Sequence, residues 1–436
     1  MTAPIKYQVY QRGKDGKATI PLGSGDTARV RVLKGRKTAI PWHRTEGEIK
    51  GVPVGGPYTI EIEPQAGRAY RVGGVLVGDL WVLAGQSNMD GCGKLVDLEP
   101  PSRMVHCFYY DETWGIARDP LCRLVDSIDP VHWPCPEAEL AKAREEDHKF
   151  REAGAGLGVR FGKEVHKATG VPVGLVMCSH GGTSIEQWDP KLKNEGGRSL
   201  YGSVLRRIGV CGGRVAGMLW YQGESNGNAE SSAFYKERMK SFIKAVRRDL
   251  KSPGLPFIQV QIGRVLVDET AFPPEDWNRI QEVQLEIASE MQNVGVAAAV
   301  DCGLSDAIHL DALGGRRMGS RLAELALVMA YGKKGPASLA PGKIAFADRK
   351  RACLRVQYRN VRGRLAPRSG VFGFWVEDRG GRVAIVNATA AGDSVELRLE
   401  RSALPGARLW YGRGCNPTVN LRDQVFAAPV FGPVRV

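Results

Sequence analysis

Five short apolar runs alternate with amphipathic segments through the middle of this chain, and that alternation constrains the fold more than any other feature. The runs fall at 80–84 ("LWVLA"), 171–177 ("VPVGLVM"), 214–221 ("RVAGMLWY"), 255–262 ("LPFIQVQI") and 294–300 ("VGVAAAV"). Each has the length of a buried strand rather than of a helix. Segments with helical spacing separate or follow them, at about 156–169, 200–209, 229–251, 276–292 and 313–331. In the clearest, Phe234, Met239, Phe242, Ile243 and Val246 form a stripe with a period near 3.6 residues. Strands alternating with helices predict βαβ crossovers and a parallel sheet. Sites in such sheets gather at the carboxyl ends of the strands, so the residues that follow each run are where chemistry is to be sought.

The flanks read differently. Residues 1–75 carry short alternating stretches such as "ARVRVL" and "YTIEIE" between Gly, Pro and Asp turns, which predicts a β-rich unit. Residues 336–436 repeat that pattern with "ACLRVQYR", "RVAIVNAT" and "SVELRLE". The expected organisation is therefore an α/β domain over 76–335 between two small all-β domains, and 436 residues suit two or three compact units. A long excursion at 90–155 separates the first two strands. It holds Trp114, Trp133, four of the nine cysteines and a charged helical stretch. A connection of that length is expected to form a structured wall near the site.

Four of the five strands deliver polar or ionisable residues to the same edge. They are Gly85-Gln86-Ser87-Asn88, then Ser179-His180-Gly181-Gly182-Thr183-Ser184, then Gln222-Gly223-Glu224-Ser225-Asn226, and finally Asp301 through His309. Any one could be turn chemistry, but four together suit acyl transfer. A serine hydroxyl needs a base to take its proton, and histidine is the natural base near neutral pH. His309 follows Asp306 by three residues. In a tight turn that spacing lets the carboxylate bond Nδ1 and leaves Nε2 for the serine. A tetrahedral intermediate also needs donors aimed at its oxyanion. Gly181-Gly182 can offer backbone N–H groups, and Gln222 can offer a side-chain amide. Neither a P-loop nor a dinucleotide fingerprint accompanies the Gly-Gly pair, which disfavours nucleotide binding.

The blocks "GQSNM", "GGTSIEQW", "WYQGESN" and "DAIHLD", in that order, resemble those of the SGNH (GDSL-like) hydrolase superfamily. Within it they resemble the sialate O-acetylesterase / carbohydrate acetylesterase group, over roughly residues 80–330. The resemblance implies a flavodoxin-like three-layer α/β/α core and serine hydrolysis that needs no metal or other cofactor. Matched block by block, it makes Ser87 the nucleophile and completes the triad with Asp306 and His309. The oxyanion hole would combine the Ser87 backbone N–H, a glycine of Gly181-Gly182 and the Gln222 side chain. Gln86, Asn88 and Glu224 would hold the turns around them. The wider superfamily's third block carries asparagine, whereas the matching segment here reads Gln222-Gly223-Glu224, which resembles the acetylesterase group. The implied substrate is an acetylated carbohydrate, with Trp188 as a flat surface for a sugar ring, or else Trp133 or Trp114. Acetylated xylan or xyloglucan is the alternative to sialic acid. A non-catalytic carbohydrate-binding protein is disfavoured because all three triad members are present in order.

Charge adds little to this reading. The formal net charge is +14, and nine Lys or Arg residues with one acid lie between Lys343 and Arg368. With no zinc-finger spacing, RNP-like motif or basic heptad, the favoured reading is a solvated β surface rather than a nucleic-acid partner. No apolar run approaches the roughly 20 residues that would span a bilayer, so no membrane partner is expected. The start, "MTAPIKYQVYQRG", has no apolar signal region, whereas the resemblance implies a secreted or periplasmic location. Nine cysteines without a Cys-x-x-Cys pair argue against a zinc ribbon and a fully paired framework. Cys178, Cys211 and Cys302 read as small core residues, whereas Cys92, Cys107, Cys122 and Cys135 share one region and could pair in an oxidising compartment.

Overall fold

The computed structural model describes residues 4–23, 27–266, 270–335 and 337–436. Pro336, where the last expected unit begins, lies outside them. The central sheet is built from β1 (Tyr70–Gly85), β2 (Val105–Phe108), β3 (Trp114–Ile116), β4 (Val173–Met177), β5 (Gly217–Tyr221), β6 (Phe257–Gln261) and β7 (Val294–Ala298). Its order is β3-β2-β4-β1-β5-β6-β7. All pairings are parallel except that of β3 with β2. The five expected strands therefore stand in the order second, first, third, fourth, fifth, which is the order of flavodoxin-like sheets. The 90–155 excursion adds β2 and β3 beyond that set.

The apolar runs are continuous rather than alternating because the strands are buried on both faces. Every residue of β4, β5, β6 and β7 is buried. The covering helices are α1 (Gly158–Thr169), α2 (Leu200–Val210), α3 (Tyr235–Asp249), α4 (Pro274–Glu290) and α5 (Ala312–Ala330). Local chemistry starts and stops them. Ser199 Oγ accepts the Gly202 N–H at the head of α2, and Asp311 accepts that of Gly314 at the head of α5. The stripe read from the sequence is the buried face of α3, with Met239, Phe242, Ile243 and Val246 inside. Phe234 lies outside that face, just before the helix, and is exposed.

Strand β1 is sixteen residues long, three times its apolar run. Its second half forms the centre of the sheet. Its first half pairs antiparallel with Gly55–Pro64, which in turn pairs with Thr27–Lys34, while Val9–Gln11 runs parallel to Leu76–Gly78. The N-terminal strands thus share one eleven-stranded sheet with the centre, although they enclose a core of their own around Val30, Ile60 and Val75. Asp79 stitches the join, accepting from Gln11 and from both Nε and Nη2 of Arg12.

Beyond residue 339 two four-stranded antiparallel sheets follow. The basic run lies on the first of them. Cys353–Arg359 alternates buried and exposed positions, and Arg355 on its open face pairs with Glu396 at 2.6 Å. Cys178, Cys211 and Cys302 are buried free thiols, and Cys92, Cys107, Cys122 and Cys135 form no disulfide with one another. Among the described residues no helix is long and apolar enough to cross a membrane.

Candidate active site

At the carboxyl end of β1 the chain must turn sharply while still touching β5. Gly85 has φ +131°, and a Cβ there would lie 2.1 Å from the Tyr221 carbonyl oxygen. Only glycine meets both conditions. The next amide, Gln86 N–H, donates to that same Tyr221 oxygen at 2.8 Å. One helical turn, Ser87–Asp90, follows and carries Ser87 to the rim as a half-buried residue.

The acid and base arrive from the loop after β7. His309 Nε2 lies 3.0 Å from Ser87 Oγ, and His309 Nδ1 lies 2.7 Å from Asp306 Oδ2. The other oxygen of Asp306 accepts the Ile308 and His309 backbone N–H groups at 2.8 and 2.7 Å. Burial pushes the Asp306 carboxyl up, but these hydrogen bonds outweigh it and hold the group below the ordinary carboxylate range. It therefore stays an acceptor and fixes the ring with Nε2 toward the serine. Asp306, His309 and Ser87 form one continuous line.

Three side chains tie the blocks together. Gln86 Oε1 accepts the Gly223 and Ser225 amides, each at 3.3 Å. Asn88 Nδ2 donates to Glu224 Oε1 at 2.8 Å and to the Ile308 carbonyl, while its Oδ1 accepts the Leu310 N–H at 2.9 Å. Asn88 thereby links the serine turn to the loop after β5 and to the histidine loop. Glu224 is buried, which pushes its carboxyl up, opposed first by the Asn88 amide.

The expected oxyanion donors differ in placement. A Cβ on Gly181 would lie 3.5 Å from Ser87 Cβ, so this glycine packs directly on the serine. Gly182 has φ +72° and open space around it. Among the described residues the Ser87 and Gly182 amides have no protein acceptor. Gln222 is fully buried, and both its amide hydrogens are taken, by the Thr183 carbonyl at 3.1 Å and by Asn226 Oδ1 at 2.6 Å. A buried amide must satisfy its donors within the protein, and this one does so by pinning two loops rather than by facing the serine.

Trp188 is not a sugar platform. It is fully buried, donates from Nε1 to Thr183 Oγ1 and packs edge-on against Trp220 at 5.1 Å. Phe242 of α3 also packs against it at 6.3 Å with the rings nearly perpendicular. Trp114 is likewise buried against Phe108, and Trp133 is half-buried with its N–H on the Ser127 carbonyl. Sequence reasoning also passed over Asp90, three residues after the serine. It is buried, and desolvation pushes its carboxyl up to about 6 against the pull of Ser179, Cys122, Arg151 and the Gly181 amide. A carboxylate closing the "GQSNMD" block was the only available signal.

The chain is 31% identical over 262 residues to a probable carbohydrate esterase of Arabidopsis thaliana, covering 56% of this chain and 88% of that one. It is 24% identical over 335 residues to the sialate O-acetylesterase of Pongo abelii, covering 67% of this chain and 63%, less than two thirds, of that longer protein. The fold resembles that of a carbohydrate acetylesterase from Xanthomonas citri, with a TM-score of 0.68, 23% identity and coverage of 98% and 97% of the two chains. A family model of sialic acid-specific acetylesterases, within the carbohydrate esterases, matches residues 77–328. The chain belongs to that family of carboxylic-ester hydrolases.

Proposed function

We propose that this protein is a carbohydrate O-acetylesterase that removes acetyl groups from sugar hydroxyls through an acetyl-Ser87 intermediate. The observation that carries the reading is the unbroken Asp306–His309–Ser87 line. His309 Nε2 takes the proton as Ser87 Oγ attacks the acetyl carbonyl, and the Asp306 carboxylate stabilises the imidazolium that results. The unpartnered Ser87 and Gly182 amides receive the oxyanion, with Gly181 giving them room against the serine. The imidazolium then protonates the departing sugar oxygen, and water, activated by the same histidine, releases acetate. Gln222, Gln86, Asn88 and Glu224 hold the loops that place these groups.

The same reading divides the chain into a β-rich unit (1–75), a catalytic unit (76–335) with the 90–155 excursion beside the site, and a β-rich unit (336–436). A three-layer catalytic core is supported by two helix pairings, α1 with α5 and α3 with α4. The test is acetate release from an acetylated chromogenic ester and from O-acetylated sugars. Ser87→Ala is expected to lose activity by more than roughly a thousandfold while keeping the wild-type Tm. Turnover retained by Ser87→Ala would remove the nucleophile assignment.

A further inference from the structure

A second histidine, which the triad does not use, stands one residue before Gly181. His180 is half-buried, and its Nδ1 lies 3.2 Å from Nδ1 of His132, with the rings stacked at 5.3 Å. His132 comes from the 90–155 excursion and is fully buried. Its Nε2 lies 3.0 Å from Ser203 Oγ, which donates to Asp129 Oδ2 at 2.5 Å. The other oxygen of Asp129 pairs with Arg206 Nε at 2.7 Å. Asp129, Ser203 and His132 are all shielded from water, so the line runs from the buried Asp129 carboxylate to His180, the neighbour of Gly181.

Counting protons along this line fixes its direction. A carboxylate paired with an arginine accepts only, and a serine has one proton to give. Ser203 spends that proton on Asp129, so its oxygen must accept, and the donor is His132 Nε2–H. Burial, then the charges of His180, Arg207 and Arg206, hold His132 well below the ordinary histidine range, so it is neutral and has only one N–H. Its Nδ1 is therefore bare, and the proton between the two Nδ1 atoms belongs to His180. Burial lowers His180 as well, which keeps it neutral. His180 is thus left with a bare Nε2 that no described protein group occupies.

We propose that His180 Nε2 is an acceptor for a hydroxyl of the acetylated sugar, set in that state by the Asp129–Ser203–His132 line. The Ser87 and Gly182 amides, which serve the acetyl carbonyl, are both donors. A sugar differs from a simple alcohol by its remaining hydroxyls, and an aligned acceptor recognises one of them. His180 binds substrate, while His132, Ser203 and Asp129 are positioning residues. The inference rests on the carbohydrate reading above.

The test compares an O-acetylated sialic acid with 4-nitrophenyl acetate, which has no hydroxyl. His180→Asn keeps an N–H near Nδ1 and removes Nε2, whereas His180→Gln places an amide oxygen near the lost Nε2. For His180→Asn the ratio of kcat/KM on the sugar to that on the aryl ester is expected to fall roughly 3- to 10-fold, mostly through KM, and His180→Gln to restore most of it. An unchanged ratio, with both substrates keeping or losing activity equally, would overturn the proposal. A wild-type enzyme that cleaves the aryl ester but no sugar acetate would fell the carbohydrate reading and this inference together. Independently of turnover, 15N–1H correlation spectra of the wild-type imidazoles should show His180 protonated on Nδ1. Ser203→Ala should redistribute that proton and Ser203→Thr should preserve it. A wild-type His180 protonated on Nε2 would also refute the assignment.

Discussion

Asp90 shows how one carboxyl group couples the site to stability. In the unfolded chain it loses its proton near the ordinary value of about 3.9, and in the fold burial moves that point to about 6. Between those values the folded state holds the extra proton, so stability falls as pH rises through the window and levels off above it. The penalty at neutral pH is on the order of 2–3 kcal/mol. Asp90→Asn should flatten the decline of Tm between pH 4 and 6, and an unaltered Tm profile would refute the burial effect. The triad makes a separate prediction. His309→Ala should cost as much activity as Ser87→Ala, since the two act as a unit. Asp306→Asn should retain roughly ten- to a hundredfold more activity than His309→Ala, because the acid orients the ring without exchanging a proton with substrate. Steady-state kinetics on an aryl acetate would separate the two cases. The Asp306–His309 contact was legible from spacing because the two residues share one tight turn. The fate of Gln222 was not, because its partners Thr183 and Asn226 come from loops that only folding brings together.

Among the elements, β1 has the largest structural role. Its inner half pairs with β4 and β5, its outer half continues the N-terminal strands, and its end aims the serine. Gly85→Ala would force a Cβ into the Tyr221 carbonyl at a backbone angle that resists side chains. We expect it to separate the ends of β1 and β5, costing about 2 kcal/mol or more of stability together with most of the activity. Denaturant unfolding and ester hydrolysis would both register it, and a variant at wild-type levels in both would contradict the strained-turn account. The helices observed start and stop within a few residues of the segments read from periodicity. The largest difference is at α3, which begins at Tyr235 rather than near 229, because Asn228 accepts the Glu230 and Ser231 amides in a preceding turn. The outer half of β1 escaped notice because its partners lie in a sheet whose register no local pattern reports.

Across the whole molecule, the C-terminal sheets are bonded to the catalytic core through buried side chains. Gln261, at the end of β6, donates to the Val430 carbonyl and accepts the Val430 N–H at 2.9 and 2.8 Å. Asn278 of α4 bridges Gly412 and Gly414, and Arg321 of α5 joins Asp301 to the Val425 carbonyl. Gln261→Ala would leave two buried backbone groups unpaired, each costing about 1–3 kcal/mol. It should lower Tm in a single cooperative transition, and an unshifted Tm would show that the join carries no stability. The sequence by itself determined the alternation of strands and helices, the β-rich flanks and the four polar blocks that carry Ser87, Asp306 and His309. Those features are written in short-range period and spacing, which local sterics and burial impose on every chain. Only the tertiary structure decided that Trp188 is core, that Gln222 pins loops, that burial pushes the Asp90 carboxyl up and that His132 reaches His180. Each of those outcomes depends on which distant surfaces cover a side chain, and hydrogen-bond partners and desolvation are set by that packing rather than by any pattern along the chain.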